Sequence, residues 1–506
     1  MKTMPRPMPD TDRLPHALYR AEQVRALDRA AIEDHGIPGA ELMERAGAAA
    51  YRLLRARWPG VRHLTVLCGG GNNGGDGYAV ARLSLLDGLA VEVLALADPG
   101  SLSGDARAMA DAYLAAGGSV RPFDLLPRRT DLIVDALLGT GLDREVQGEW
   151  AKAIAAANEH LAPRLAIDIP SGLHADTGRV LAAAIRADAT ISFIGLKQGL
   201  FTGEGPSCCG EVRFSALGVP AVVWSREVLS ARRIDWSKQA ELLAPRRRSA
   251  HKGDFGTVLV VGGAPGMAGA ARLAGAAALR TGAGLVAVAT HPAHTAVLGA
   301  GRPELMCHGV ADAAGLGALI GRADVVALGP GLGQAEWGRA LYQRVLECDR
   351  PLVVDADALN LLALGPQTSA RWVLTPHPGE AGRLLRCPTA EVQADRFAAV
   401  RRLQGTYGGV AVLKGAGTLV YGASHRPPGV CSAGNPGMAG GGMGDALTGI
   451  IAALIAQGLH LEEAAAAGVA LHAAAGDAAA AQGGERGLLA SDLIAAIRPV
   501  LNRTRP

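Results

Sequence analysis

Between Ala433 and Ile450 the chain reads AGNPGMAGGGMGDALTGI, so that Gly440, Gly441, Gly442 and Gly444 surround a single carboxylate, Asp445. The following run, ALTGIIAALIAQG, has the apolar content and small residues of a buried helix. The glycines therefore fall at a helix N-terminus, where unpaired amides and the positive dipole end meet a main chain able to approach an anion closely. This is a phosphate cradle. A carboxylate inside it repels the ligand unless it has a task, and the fitting task is to take a proton from a hydroxyl that attacks a phosphoryl group. Asp445 is the expected catalytic base. The competing reading is a glycine-rich turn in which Asp445 merely caps the helix.

A second group of chemistry-bearing residues stands in the first half. The loop CGGGNNGGDG, Cys68 to Gly77, follows a strand-like run and precedes the helical run Tyr78–Leu86. Ligands of open α/β sheets gather at the carboxyl ends of strands, where this loop lies. Its asparagines and aspartate offer directional donors and acceptors for a phosphate, a ribose or a cation. Two further strand ends carry Asp135 in VDALLGTG and Asp168 in IDIPSG, followed by Ser171. Carboxylate, amide and hydroxyl oxygens converging there suit a hard cation, with one carboxylate left for proton transfer. Asp135 and Asp168 are also ordinary loop and cap residues.

Five loops accompany Asp445 in the second half: HKGDFG (251–256), GGAPGMAGAA (262–271), GPGLG (329–333), HPGE (377–380) and KGAGT (414–418). Lys414 is one of six lysines among 50 basic residues, and a point cation beside glycines suits a nucleotide phosphate. In VDADALN (354–360) Asp355 and Asp357 could take a metal or cap the next helix; no metal is assigned to them.

The elements that position these loops alternate in type. Strand runs His63–Cys68, Val91–Ala97, Asp131–Asp135, Leu165–Asp168 and Thr190–Ile194 are separated by helical stretches such as Glu41–Arg57. A second cycle has strands Thr257–Val261, Leu285–Thr290, Asp324–Leu328, Pro351–Asp355, Trp372–Thr375 and Val410–Leu413. Such alternation requires parallel sheets covered by helices. The expected division is a flexible proline-rich arm at 1–13, a Rossmann-like doubly wound α/β domain at 14–224, a linker at 225–241 and a second α/β domain at 242–506.

The 506 residues suffice for two cores, and a net charge of +3 spread along the chain points to neither nucleic acid nor an anionic membrane surface. Seven cysteines without a CxxC fit a reducing cytoplasm. Apolar runs are interrupted before the length of a membrane span. A homo-oligomer is expected.

In order, GGGNNGGDG, VDALLGTGL, DIPSG and ISFIGLKQGL resemble the YjeF N-terminal family, the NAD(P)H-hydrate epimerases, across the first half. The resemblance implies epimerisation of hydrated nicotinamide (NADHX, NADPHX) at the carbon bearing the hydroxyl, beside a potassium ion. By motif, Asn72, Asn73, Gly74, Gly75 and Asp76, with Gly139, Thr140, Gly141, Leu142, Asp143, Arg144 and Glu145, would hold the hydrate. Asn73, Asp135 and Ser171 would ligate potassium, and Asp168 would contact the substrate as acid/base. The loop reads GLKQGL where GLKPGL is expected, and Lys197 is left outside the site.

The second-half motifs are similar to the YjeF C-terminal family, the ADP-dependent NAD(P)H-hydrate dehydratases of ribokinase-like fold. The resemblance implies that Lys414, Gly415, Ala416, Gly417, Thr418 and Gly444 hold ADP, with magnesium on its phosphates, while Ala270, Gly331, His377 and Asp445 face the hydrate. AGGGMGD stands where many relatives have ATGGTGD, so backbone amides must carry the anion. The alternative is a small-molecule kinase preceded by a noncatalytic binding module.

Overall fold

LIVDA, Leu132–Ala136, is buried along its whole length, which a strand can be only inside a sheet covered on both faces. In the computed structural model, which describes residues 14–424 and 426–503, it is a central strand of a wholly parallel sheet. The order is Val120–Pro122, Ala90–Ala95, His63–Cys68, Leu132–Ala136, Arg164–Ile167, Ala189–Phe193 and Glu211–Ser215. Side chains alternate between layers as the pleat demands. Leu132, Val134 and Ala136 pack with the helices Gly39–Arg57 and Asn72–Leu86, whereas Ile133 joins Ala153 and Ile154 of Gly148–Glu159 on the other face. The arm expected at 1–13 lies outside the described residues.

The helix expected from Tyr78 starts six residues earlier, at Asn72. The glycines of NNGGDG serve close packing: a Cβ on Gly77 would lie 2.5 Å from that of Ala136. Helix Asn72–Leu86 can thus descend onto the sheet only because its first two turns lack side chains there.

Contacts divide the chain into two units at Arg232 and Arg233. Residues 225–241 are not featureless: they include the strand Ala231–Arg233 and the short helix Trp236–Gln239. In the first unit Ala231 and Arg232 of that strand pair antiparallel with Leu18 and Ala17.

The second unit has its own sheet, in the order Gly429–Cys431, Thr418–Tyr421, Val410–Leu413, Trp372–Leu374, Leu352–Val354, Val325–Leu328, Thr257–Val261, Leu285–Thr290 and Met306–Gly309. The strands from Val410–Leu413 onward are parallel, and the first two pair antiparallel. Helix Met443–Ala456 is apolar on nearly every side and lies buried beside Ala268–Thr281. Helix Leu461–Gly483, contrary to the expectation of no such run, is long and apolar enough to cross a membrane by length and composition, with mean hydropathy 1.2. Its apolar window is 61% buried within the protein, as in a core helix.

Candidate functional site

In the first unit the chain leaves Cys68 toward one edge of the sheet and Ala136 toward the other, so the loops after these neighbouring strands part at a topological switch point. They remain tied by Gly69 N–H to Ala136 O (3.0 Å). A cavity of about 640 Å³ opens there. Its wall contains Asn72, Asn73, Asp76, Gly139, Thr140, Gly141, Leu142, Asp143, Arg144 and Asp168. Gly74, Gly75 and Glu145 are not in the wall; a Cβ on Gly75 would strike the Met43 sulfur at 2.4 Å.

Asp135 and Ser171 lie fully buried beneath the Leu137–Leu138 turn. The Ser171 hydroxyl donates to Asp135 Oδ1 (2.5 Å), its N–H donates to Oδ2 (2.8 Å), and Leu138 N–H donates to Ser171 Oγ (2.8 Å). Burial drives the Asp135 carboxyl up to about 6 against those hydrogen bonds. Asn73 faces the same turn: a Cβ on Gly139 would touch its Cβ at 3.2 Å. Both polar atoms of the Asn73 amide are buried without a hydrogen-bond partner among the described residues, a costly state for a side chain with two donors and an acceptor.

Asp168 adopts a left-handed backbone conformation, φ 65°, at the end of the strand Arg164–Ile167. Its carboxylate accepts from Phe193 N–H (3.3 Å) and from the Lys197 ammonium. Lys197, left out on sequence grounds, is fully buried; it also donates to Ser192 Oγ (3.0 Å). Burial together with repulsion from Asp168 and Asp28 holds the Asp76 carboxyl well above the usual carboxylate range. Asp28 was missed altogether. Its signal was an acid set within the helical apolar stripe Ala21, Val24, Leu27, Ala31.

In the second unit the site loops leave the carboxyl ends of five parallel strands. The switch point lies between Thr257–Val261 and Val325–Leu328, where Gly263 N–H donates to Pro330 O (3.1 Å) and Ala264 N–H to Gly331 O (2.7 Å). Ala270 and Gly331 meet there: a Cβ on Gly331 would lie 3.1 Å from that of Ala270. Asp357 holds the GPGLG loop by accepting from Gly333 N–H (2.9 Å).

Three strands along, Lys414 donates to Asp355 Oδ1 (2.8 Å), and Thr448 donates to Asp355 Oδ2 (2.9 Å). Burial raises the Asp355 carboxyl, but Lys414 and the threonine hydroxyls outweigh it and hold it below the usual range. Glu380 lies 3.8 Å from the same ammonium, and burial pushes its carboxyl up to about 6. Gly444 abuts this group, since a Cβ there would be 3.2 Å from Lys414 Nζ.

Asp445 stands in the first turn of Met443–Ala456, whose N-cap Gly442 is left-handed, φ 86°. Burial, with repulsion from Asp355 that Lys414 only partly offsets, raises its carboxyl to about 6. His377 caps the helix Pro378–Leu385, accepting from Gly379 N–H (3.0 Å) at Nδ1. Burial, then Lys414 and Arg383, keep it below the ordinary histidine value, and its Nε2 lies 3.4 Å from Glu380 Oε1. The KGAGT loop rests on Arg396, another residue sequence reading missed, which donates to Lys414 O (3.0 Å) from an almost fully buried position. The arrangement combines a glycine-capped helix start, a carboxylate in its first turn, and a lysine-centred carboxylate cluster beside it. That is equipment for phosphoryl transfer to a hydroxyl.

Residues 39–199 match the family model of the YjeF-related protein N-terminus, and residues 258–499 match that of the NAD(P)H-hydrate dehydratases. The chain is 49% identical over 486 residues to a bifunctional NAD(P)H-hydrate repair enzyme of Coxiella burnetii, covering 96% of this chain and 99% of that one. It is 47% identical to the Escherichia coli enzyme of the same name, covering 97% and 95%. Among solved structures, a ribokinase-like superfamily protein of Enterococcus faecalis matches with a TM-score of 0.51 at 30% identity, over 55% of this chain and 98% of that one.

Proposed function

The chain belongs to the bifunctional NAD(P)H-hydrate repair enzymes, and from that premise we propose how its two units divide the repair and which residues perform it. Epimerase and dehydratase activities reside on one chain; the reading as a small-molecule kinase behind a noncatalytic module is set aside. We assign interconversion of the R and S hydrates to residues 14–224 and dehydration of the S hydrate to residues 242–506.

In the first unit the hydrate would lie in the cavity at the switch point, with Asp168 moving a proton at the hydroxyl-bearing carbon. The unsatisfied, buried Asn73 amide beside Asp135 and Ser171 fits a hard cation, all three being oxygen donors. A potassium ion held there would supply a fixed positive charge beside the nucleotide part of the substrate. Lys197 joins the site as the residue that orients Asp168.

In the second unit the observation that carries the reading is Asp445, set in the first turn of a glycine-capped helix against the Lys414–Asp355 pair. Asp445 takes the proton of the ring hydroxyl as that oxygen attacks the terminal phosphoryl group of ADP, and AMP leaves. The amides of Gly440–Gly444 offset charge on the equatorial oxygens. Magnesium would neutralise the nucleotide phosphates. The 414–418 loop would grip ADP through its backbone, because the Lys414 ammonium is already tied to Asp355 and governs the field around Asp445. Ala270, Gly331 and His377 would face the hydrate. The phosphorylated oxygen is a better leaving group than hydroxide; it leaves as phosphate with its bonding electron pair, the ring nitrogen forms C=N⁺, and loss of a proton from the adjoining ring carbon restores the double bond of the reduced ring.

All seven cysteines are free, which supports the reducing cytoplasm as the site of action. The test is recovery of reduced-nicotinamide absorbance from a mixture of both epimers. We expect complete recovery with ADP and none without nucleotide. Recovery that stops partway would remove the epimerase assignment, and no recovery with either ADP or ATP would remove the dehydratase assignment.

A further inference from the structure

Helix Ala21–Glu33 buries Ala21, Val24, Leu27 and Ala31 as one stripe, and Asp28 stands on that side, four residues after Val24. The segment just before the helix is fixed across Lys197: Tyr19 N–H donates to Leu196 O (2.9 Å), and Gln198 N–H donates to Tyr19 O (3.0 Å). Gly195 then admits the helix, because a Cβ there would lie 2.9 Å from Val24 Cγ2. These contacts set Asp28 in the wall of the cavity that Asp168 also lines. Among the described residues the Asp28 carboxyl makes no hydrogen bond or ion pair. Asp28 is only partly exposed, and a carboxyl group held in a cavity wall beside other titratable groups, with no hydrogen bond to fix it, is placed for chemistry.

We propose that Asp28 is a second catalytic carboxyl group of the epimerase cavity, acting on the hydrate from the helix side while Asp168 acts from the sheet side. The inference rests on placing epimerisation in this cavity. Hydration of the enamine bond of a reduced nicotinamide puts the oxygen on the carbon next to the ring nitrogen, the electrophilic end once its neighbour is protonated. Configuration there is lost if the hydroxyl leaves as water. Asp28 in its acid form gives its proton to the hydroxyl oxygen, the C–O bond breaks with its electron pair going to oxygen, and the nitrogen lone pair forms a planar C=N⁺ bond. Water adds to the opposite face, the C=N⁺ electron pair returns to nitrogen, and the surplus proton passes to the Asp168 carboxylate. The net transfer is one proton from Asp28 to Asp168, reset by exchange with solvent or by turnover in reverse, and nothing is oxidised or reduced.

The electrostatics support these roles. Burial raises the Asp28 carboxyl to about 6, with Lys197 and Arg29 pulling it down and Asp168 pushing it up. The charged groups facing it are Lys197 and Asp168 across the cavity, Asp76 from helix Asn72–Leu86, and Arg25 and Arg29 on its own helix. Lys197 is already committed to Asp168.

The test uses the full chain with Asp28→Asn, which preserves size. Interconversion of the R and S hydrates, followed by separation of the epimers, should fall about 10²–10⁴-fold in kcat. Hydrate binding, measured by calorimetry, should persist. The native decline in rate as pH rises through about 6 should disappear from the residual activity. In heavy-oxygen water the native enzyme should place label in the hydroxyl as fast as it inverts the carbon, and the variant should slow in both by the same factor. Unchanged interconversion in Asp28→Asn while Asp168→Asn is inactive would overturn the role of Asp28 alone; unchanged interconversion in both would overturn the cavity assignment. Loss of binding together with rate would make Asp28 structural, and inversion without label in the native enzyme would overturn the loss of water.

Discussion

Asp445 must be ionised to accept a proton, yet burial and Asp355 raise its carboxyl to about 6. The dehydration rate should therefore climb as pH rises through about 6 and level off above it. Asp445→Asn should lower kcat about 10²–10⁴-fold while S-hydrate binding remains, as single-turnover kinetics and calorimetry would show. Lys414 makes a different prediction, because its partner Asp355 is buried. In the native protein Asp355 titrates below its unfolded value, so its contribution to stability is present above about pH 4 and fades on acidification through the folded value. Lys414→Met leaves that carboxylate without its cation and should cost about 3–5 kcal/mol. Asp355 would then titrate upward, reversing the sign. The loss seen in chemical denaturation should be larger near pH 8 than near pH 5, and an equal loss at both would show that the ion pair is not the source.

At the scale of elements, the start of Met443–Ala456 has little tolerance. Gly442 is left-handed at φ 86°, and a Cβ there would lie 2.5 Å from Leu273 Cδ1 on helix Ala268–Thr281. Gly442→Ala should cost about 1–3 kcal/mol in backbone strain and raise KM for ADP, with epimer interconversion unchanged; normal ADP kinetics would show that the amides of this turn do not hold the nucleotide. The same scale shows what could be read from the sequence. Thr257–Val261 and Val410–Leu413 begin and end where expected because both are unbroken apolar runs bounded by glycine or charge. Met306–Gly309, mostly exposed at a sheet edge, and Glu211–Ser215, half-buried throughout, carry no such run and were not anticipated. Helix Asn72–Leu86 was started late because glycines needed for packing look like glycines needed for a loop. The aspartates at strand ends were legible as candidates since each follows a β-rich run. Asp28 was not, because an acid on a surface helix and an acid facing a cavity differ only in what lies opposite. Lys197 was discounted on a neighbouring residue, Gln198, whose side chain donates to Asp176 O (2.7 Å) and does not touch Asp168.

At the scale of the whole chain, each candidate site draws its side chains from one unit. Asp168, Lys197 and the cavity residues precede Arg232, and Asp355, Lys414 and Asp445 follow Arg233. Damage to one site should leave the other working. Asp168→Asn, given both hydrates and ADP, should recover reduced nicotinamide rapidly up to the S fraction and then only at the spontaneous rate of epimerisation. Asp445→Asn should recover reduced nicotinamide about 10²–10⁴-fold more slowly while still interconverting the epimers. Mixing the two variants decides how the halves cooperate. Each variant retains the site that the other lacks, so if the hydrate passes through solution the mixture regains complete recovery, at a rate that rises with the amount of Asp445→Asn protein supplying S hydrate. If the mixture recovers the R fraction more slowly than the native chain does at equal concentrations of each working site, although each variant keeps its remaining activity, direct handover of the epimer within one chain contributes to the native rate, and fusion of the two units speeds the repair itself.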